Sequence, residues 1–171
     1  MKLHFPDWKV HRTGWSQENA KKLAGVVAEV AGLLGAETGE IKKWTSASAN
    51  EAGLDVLCFR SFNDERVSSP ALLFQCASGM HYNGKLHTPN LRVWEKIVIF
   101  PVEPSKAFAT PFALTDQEFL RAINIVNGPL LDRYRLLAPA HANTKWLSQE
   151  LSDKLVAWTE PRIATLPAGE S

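Results

Sequence analysis

Two polar residues interrupt two apolar runs of this chain, and their chemistry needs explaining first. Asp55 lies in LDVLCFR (54–60) and Gln75 in ALLFQCA (71–77), both of which read as strands. Neither belongs to a solvent-facing alternation, so each needs a partner, because a buried carboxylate or amide left unsatisfied costs about 1–3 kcal/mol or more. A divalent cation is one such partner. The competing reading is local: Asp55 caps the turn at Gly53, and Gln75 bonds neighbouring main chain. The loop after the second strand, SGMHYNGKLHTPN (78–90), is rich in Gly, His and Asn and reads as turn chemistry in a mobile segment. His81 and His87 lie in it, six residues apart, with no further Cys or His at ligand spacing. That is a weak zinc pattern, and an ordinary surface loop is the simpler reading.

These strands must be held by a domain of ordinary make-up. The 171 residues suffice for one core, and 45% hydrophobic with 22% charged residues excludes neither a globular enzyme nor a binding module but does exclude disordered and fibrous classes. A net charge of +1 does not announce a nucleic-acid partner, so any electrostatic footprint is local. Cys58 and Cys76 fall inside the apolar strands, and the start, MKLHFPDWKV, lacks the hydrophobic segment of a signal peptide. The expectation is buried thiols in a reducing cytoplasm, with a strand-to-strand disulfide as the alternative. No apolar run approaches the roughly 20 residues of a membrane span.

In chain order, residues 1–15 form an arm anchored by Phe5, Trp8 and Trp15. SQENAKKLAGVVAEVAGLLGAE reads as a helix, with Ala20, Leu23, Ala24, Val27, Ala31 and Leu34 at three-four spacing, Ser16 as N-cap, and Gly35 and Gly39 closing it. IKKWTSASAN (41–50) reads as a loop or short strand in which Lys42, Lys43 and Trp44 could grip a phosphate and stack on a base, or simply form a solvated edge. KIVIFPV (96–102) reads as a third strand. LTDQEFLRAINIVN is a helix with Thr115 and Glu118 as a capping box, LLDRYRLLA (130–138) a fourth strand, and NTKWLSQELSDKLVAW (143–158) a last helix carrying Trp146, Leu147, Leu151, Leu155 and Trp158 on one side.

The order helix, strand, strand, strand, helix, strand, helix implies an α/β domain with a mixed sheet and helices on both faces. With Asp55 early in one strand and Gln75 late in the next, the pattern resembles the PD-(D/E)xK nuclease superfamily, the restriction-endonuclease-like fold. Within it the pattern is similar to the Mrr-like branch, which carries Gln in the acid position. Gly53, Leu54, Asp55 and Val56 carry the G-[IL]-D-V element, and Phe74, Gln75, Cys76 and Ala77 the Q-x-K element. The resemblance covers residues 16–138, leaving 1–15 as an arm and 139–171 as a terminal helix and tail.

The resemblance implies phosphodiester hydrolysis of DNA assisted by Mg²⁺ or Mn²⁺. It assigns as ligands a carboxylate oxygen of Asp55, the amide oxygen of Gln75 and the backbone carbonyl of Cys76. Ala77 departs from the family, whose lysine stands there, and Lys85 is the candidate to replace it from the following loop. For the family's helical glutamate the candidates are Glu18 and Glu29, both on the side of the helix away from its stripe, and Glu51 near the strand. Nucleic-acid contacts fall to Lys42, Lys43, Arg92 beside Trp94 and Lys96, and Arg133 and Arg135, which share a face if 130–138 is a strand. They could equally pair with Asp132, Glu118 or a partner's acids. Local basic patches alone would hold DNA poorly, so a protein partner or a second copy is expected to supply targeting, and the family suggests a role in restriction or defence against foreign DNA. The alternative function is a catalytically inactive nuclease-like module that binds nucleic acid or a protein.

Overall fold

The computed structural model describes residues 4–13, 22–45, 52–62, 64, 66–138 and 148–163. Along the chain the elements are β1 (Lys9–Arg12), α1 (Leu23–Leu34), β2 (Glu37–Thr38), α2 (Ile41–Trp44), β3 (Val56–Phe59), β4 (Ala71–Cys76) and a 3-10 turn (Tyr82–Lys85). They continue with α3 (Leu91–Ile97), β5 (Val98–Ile99), β6 (Ser105–Ala109), α4 (Asp116–Val126), β7 (Leu130–Leu131), α5 (Arg133–Leu137) and α6 (Gln149–Ile163). The chain divides into two compact units, Met1–Leu136 and Leu137–Ser171.

The first unit is a mixed α/β structure on a five-stranded sheet ordered β1-β3-β4-β6-β7. β3 pairs antiparallel with both β1 and β4, and β6 continues the sheet parallel to β4 and to β7. Side-chain alternation sorts the strand residues onto two faces. Leu57, Phe59, Ala71 and Leu73 meet Val26, Val27 and Val30 of α1 and Trp94 and Ile97 of α3. Phe108 and Leu130 extend that face under Ala122 and Val126 of α4. On the other face Cys58, Leu72, Phe74, Ala107 and Ala109 are covered by Phe5, Trp8 and Leu136 of α5. Phe5 meets Phe74 edge-on with ring centres 5.9 Å apart.

The apolar stripe of α1 is Leu23, Val26, Val27, Val30, Ala31 and Leu34; Ala24 is exposed, while Ser16, Glu18 and Ala20 lie outside the described residues. Gly35 ends the helix at φ 64°, a left-handed turn that lets the Ala36 N–H donate to the Ala31 carbonyl oxygen at 2.9 Å. The capping box of α4 is present, with Thr115 and Glu118 satisfying each other's main-chain N–H groups.

Four sequence expectations are corrected. Residues 9–12 are the edge strand of the sheet rather than part of a docked arm. Residues 41–44 are helical. The run 96–102 is not a third strand of the main sheet: Leu91, Trp94 and Ile97 recur at helical spacing, and Val98–Ile99 pairs only with β2 in a separate two-stranded sheet. The place beside β4 goes to SKAFA, whose consecutive buried Ala107, Phe108 and Ala109 give no alternating signal, as expected of a parallel strand covered on both faces. Finally, 130–138 is a strand for two residues only. Asp132 then accepts from the Arg135 N–H at 3.0 Å as a helix cap, and α5 begins.

The second unit carries α6, stabilised along its own surface by Lys154–Glu150 at 2.7 Å and by the Arg162 guanidinium 3.9 Å from the Trp158 ring centre. Its Leu151, Leu155 and Trp158 are exposed; Trp146 and Leu147 lie outside the described residues.

Candidate functional site

Asp55 is fixed by its main chain before its side chain does anything. Its N–H donates to the Phe74 carbonyl oxygen and its own carbonyl accepts from the Thr13 N–H, both at 2.9 Å, while Thr13 Oγ1 donates to the Leu54 carbonyl oxygen at 2.7 Å. β1 and β4 thus clamp it from both sides. The register Val56–Phe74, carried one step further, sets Asp55 opposite Gln75, so the two side chains share a face.

They meet there. Gln75 Nε2 donates to Asp55 Oδ2 and, at 3.2 Å, to the Cys76 carbonyl oxygen, while the Cys76 N–H donates to Asp55 Oδ2 at 2.7 Å. Thr88 Oγ1 lies 3.0 Å from Gln75 Oε1 and 2.7 Å from the Lys85 carbonyl oxygen. Gln75 is buried and Asp55 half-buried. Burial raises the Asp55 carboxyl above its ordinary pKa, and the Cys76 N–H, the Lys85 ammonium and the Arg12 guanidinium each pull it back down. The two cations offset part of the carboxylate's charge, and burial outweighs them.

Gly53 explains the tightness of the cluster. It stands at φ 73°, and a Cβ there would lie 2.8 Å from Thr88 Cβ and 3.2 Å from Gln75 Oε1. No side chain fits between the turn before Asp55 and the Thr88–Gln75 pair.

The other expected residues are placed as follows. Lys85 closes the 3-10 turn and acts on Asp55 by its charge. That segment is more tethered than a mobile loop, since Leu86 is buried, its carbonyl accepts from Lys106 Nζ at 3.1 Å, and Tyr82 stacks on Phe112 with centres 5.2 Å apart. Ala77 is buried in the core under α4. Glu29 reaches His11, with 3.1 Å between Oε1 and Nε2 but without the alignment of a hydrogen bond. Glu51 lies outside the described residues, as does Glu18.

Of the basic residues, Lys42, Lys43 and Arg92 are exposed. Lys43 and Lys96, from different helices, lie 5.6 and 5.7 Å from the Trp44 ring centre. Trp94, by contrast, is fully buried and donates from its indole nitrogen to the Ala52 carbonyl oxygen at 3.2 Å. Arg133 and Arg135 do not share a strand face, because they are helical. Arg133 Nε donates to the Pro111 carbonyl oxygen at 2.7 Å, and the Arg135 guanidinium lies 4.5 Å from the Phe119 ring centre. Asp132 and Glu118, offered as their partners, instead serve as main-chain caps.

Cys58 is buried and its thiol pushed up to about 11, chiefly by burial; Cys76 is exposed rather than buried, and both are free. Among the described residues no three His, Cys, Asp or Glu side chains gather as an ion site, and no helix is long and apolar enough to cross a membrane. Sequence reasoning missed Thr88, Thr13 and Arg12. The first has no signal beyond its place in HTPN; Arg12 ends β1 and Thr13 follows it, in a stretch whose sequence reads as an arm. Compared with protein-family models, curated proteins and solved structures, the chain has no significant match.

Proposed function

We propose that this chain is a metal-dependent endonuclease-like domain of the restriction-endonuclease-like fold that hydrolyses phosphodiester bonds of DNA. The observation that carries the reading is the convergence, on one face of adjacent antiparallel strands, of the Asp55 carboxylate and the Cys76 carbonyl around the terminal amide of Gln75. The donor set fits a hard divalent cation. Two oxygens already converge on the amide nitrogen, whose two hydrogens bridge them, and a half-turn of the amide exchanges nitrogen for a third oxygen.

Asp55, Gln75 and the Cys76 carbonyl would hold Mg²⁺ or Mn²⁺, which when bound acidifies a water and neutralises charge on the phosphate. The chain's own groups do the rest. The Cys76 N–H orients Asp55 Oδ2. Lys85 and Arg12 supply positive potential at the carboxylate, where a phosphate would lie, and Lys85 takes the part that Ala77 cannot. Lys42, Lys43 and Arg92 offer exposed cations for the DNA backbone. Targeting would come from a protein partner or second copy; the place in restriction or antiviral defence rests on the family resemblance alone, and the cytoplasmic location on the reading of the cysteines and the first residues.

A second reading has its own support. The Gln75 amide already satisfies Asp55 and Cys76 without an ion, and the family's lysine position is a buried alanine. Both facts suit an inactive module that binds nucleic acid or a protein. Nicking of supercoiled plasmid separates the two. On the first reading the chain nicks in Mg²⁺, and Asp55→Ala or Gln75→Ala abolishes this while the fold persists. No cleavage with Mg²⁺ or Mn²⁺, by the chain alone or with its partner, supports the second.

A further inference from the structure

The Thr88 hydroxyl has one hydrogen and two acceptors beside it. Its Oγ1 is 2.7 Å from the Lys85 carbonyl oxygen and 3.0 Å from Gln75 Oε1. A carbonyl can only accept, so the shorter contact commits the hydrogen to Lys85 and leaves lone pairs facing Gln75. Those lone pairs match an N–H donor and not an amide oxygen. A half-turn of the amide would supply that donor, and the same turn would bring Oε1 beside Asp55 Oδ2 and the Cys76 carbonyl oxygen.

Each orientation therefore satisfies one end of Gln75 and frustrates the other. With nitrogen inward, Asp55 and Cys76 are served and Thr88 is overcommitted. With oxygen inward, Thr88 is served and three oxygens face one another, which a divalent cation relieves. Gly53 lies close by, since a Cβ added there would come to 2.8 Å from Thr88 Cβ and 3.2 Å from Gln75 Oε1.

We propose that Thr88 is a positioning residue for the cation site. By accepting from the Gln75 amide nitrogen, its hydroxyl holds the amide oxygen inward and so raises the affinity of the Asp55–Gln75–Cys76 cluster for a divalent ion. This rests on the metal-binding reading above and adds to it the residue that selects the ligand atom.

The test is calorimetric titration of Mn²⁺ into the full chain, comparing wild type with Thr88→Val and Thr88→Ser. Outer partners of metal ligands typically contribute about 10–100-fold in affinity, so Thr88→Val is expected to weaken binding by about tenfold or more and Thr88→Ser to restore it. A second readout is nuclear Overhauser contacts of the Gln75 side-chain NH₂ protons, which are expected to move from Asp55 and Cys76 to Thr88 on adding Mg²⁺. Equal affinity in wild type and Thr88→Val, or loss in Thr88→Ser as large as in Thr88→Val, overturns the role of Thr88 and leaves the metal site standing. No binding by wild type overturns both together. Should Thr88→Val fail to fold, Thr88→Ala, which only removes atoms, takes its place with the same outcomes.

Discussion

Asp55 and Gln75 face each other across the antiparallel pair β3–β4, joined by a hydrogen bond from the Gln75 amide nitrogen to Asp55 Oδ2. They are twenty residues apart in sequence and come from separate apolar runs, yet neither is left buried without a partner. Their contact means that a change at one is felt at the other, and most of what can be tested follows from that coupling.

Gln75→Glu removes the donor that Asp55 accepts and sets a second carboxylate directly opposite the first. In chelator the variant is expected to lose about 1.5–3 kcal/mol in urea unfolding, the usual worth of a hydrogen bond to a charged group. In Mn²⁺ it is expected to recover more stability than wild type gains, because a second anionic ligand strengthens the site. A variant indifferent to Mn²⁺ would contradict the proposed ligand set.

The Asp55 carboxyl is expected to titrate above 3.8, its ordinary value, in carbon-detected NMR. The native state then holds the proton more tightly than the unfolded chain. Its contribution to stability is therefore present below the unfolded pKa and lost as pH rises through the folded one. Lys85→Ala removes a cation that lowers this pKa, so the midpoint should rise further. A midpoint unmoved by Lys85→Ala would detach Lys85 from the site.

Gly53→Ala forces a Cβ onto a residue at φ 73° and to within 2.8 Å of Thr88 Cβ. The left-handed conformation alone costs about 1–2 kcal/mol, and the contact adds to it. Gly79→Ala is the control, because among the described residues nothing beyond its own chain neighbours lies within 4 Å of the Cβ it would gain. Chemical denaturation should show a large loss for the first and little for the second.

Ala77→Lys restores the family's residue type but should not restore its chemistry. Ala77 is buried with Leu86, Phe108 and Leu114, and an ammonium placed there carries a desolvation penalty of several kcal/mol. Thermal melting is expected to fall sharply, with plasmid nicking no higher than wild type. A stable Ala77→Lys protein with enhanced nicking would show that Lys85 is not the substitute.

How much of this was legible in the sequence divides by the kind of signal. Asp55 and Gln75 stood out because a polar group in an apolar strand has few ways to be satisfied, and strand parity alone allowed them to share a face. The capping box at Thr115 and Glu118 was likewise readable, since both of its hydrogen bonds are local. The strand Ser105–Ala109 was missed because a parallel strand buried on both faces has no alternation, whereas KIVIFPV imitated one while Leu91, Trp94 and Ile97 wound a helix. LLDRYRLLA misled because Asp132, read only as a charge, is the cap that starts α5. Thr88 could not be found at all, because its importance comes from lying against Gly53 and Gln75, which only the folded chain brings together.

The most direct measurement is a crystal structure of the chain soaked in Mn²⁺, located by its anomalous scattering. An ion is expected within about 2.5 Å of oxygens from Asp55, Gln75 and the Cys76 carbonyl, with the Gln75 amide turned so that its nitrogen meets Thr88. An empty cluster at saturating Mn²⁺, with the Gln75 nitrogen still bonded to Asp55, would contradict the proposed site.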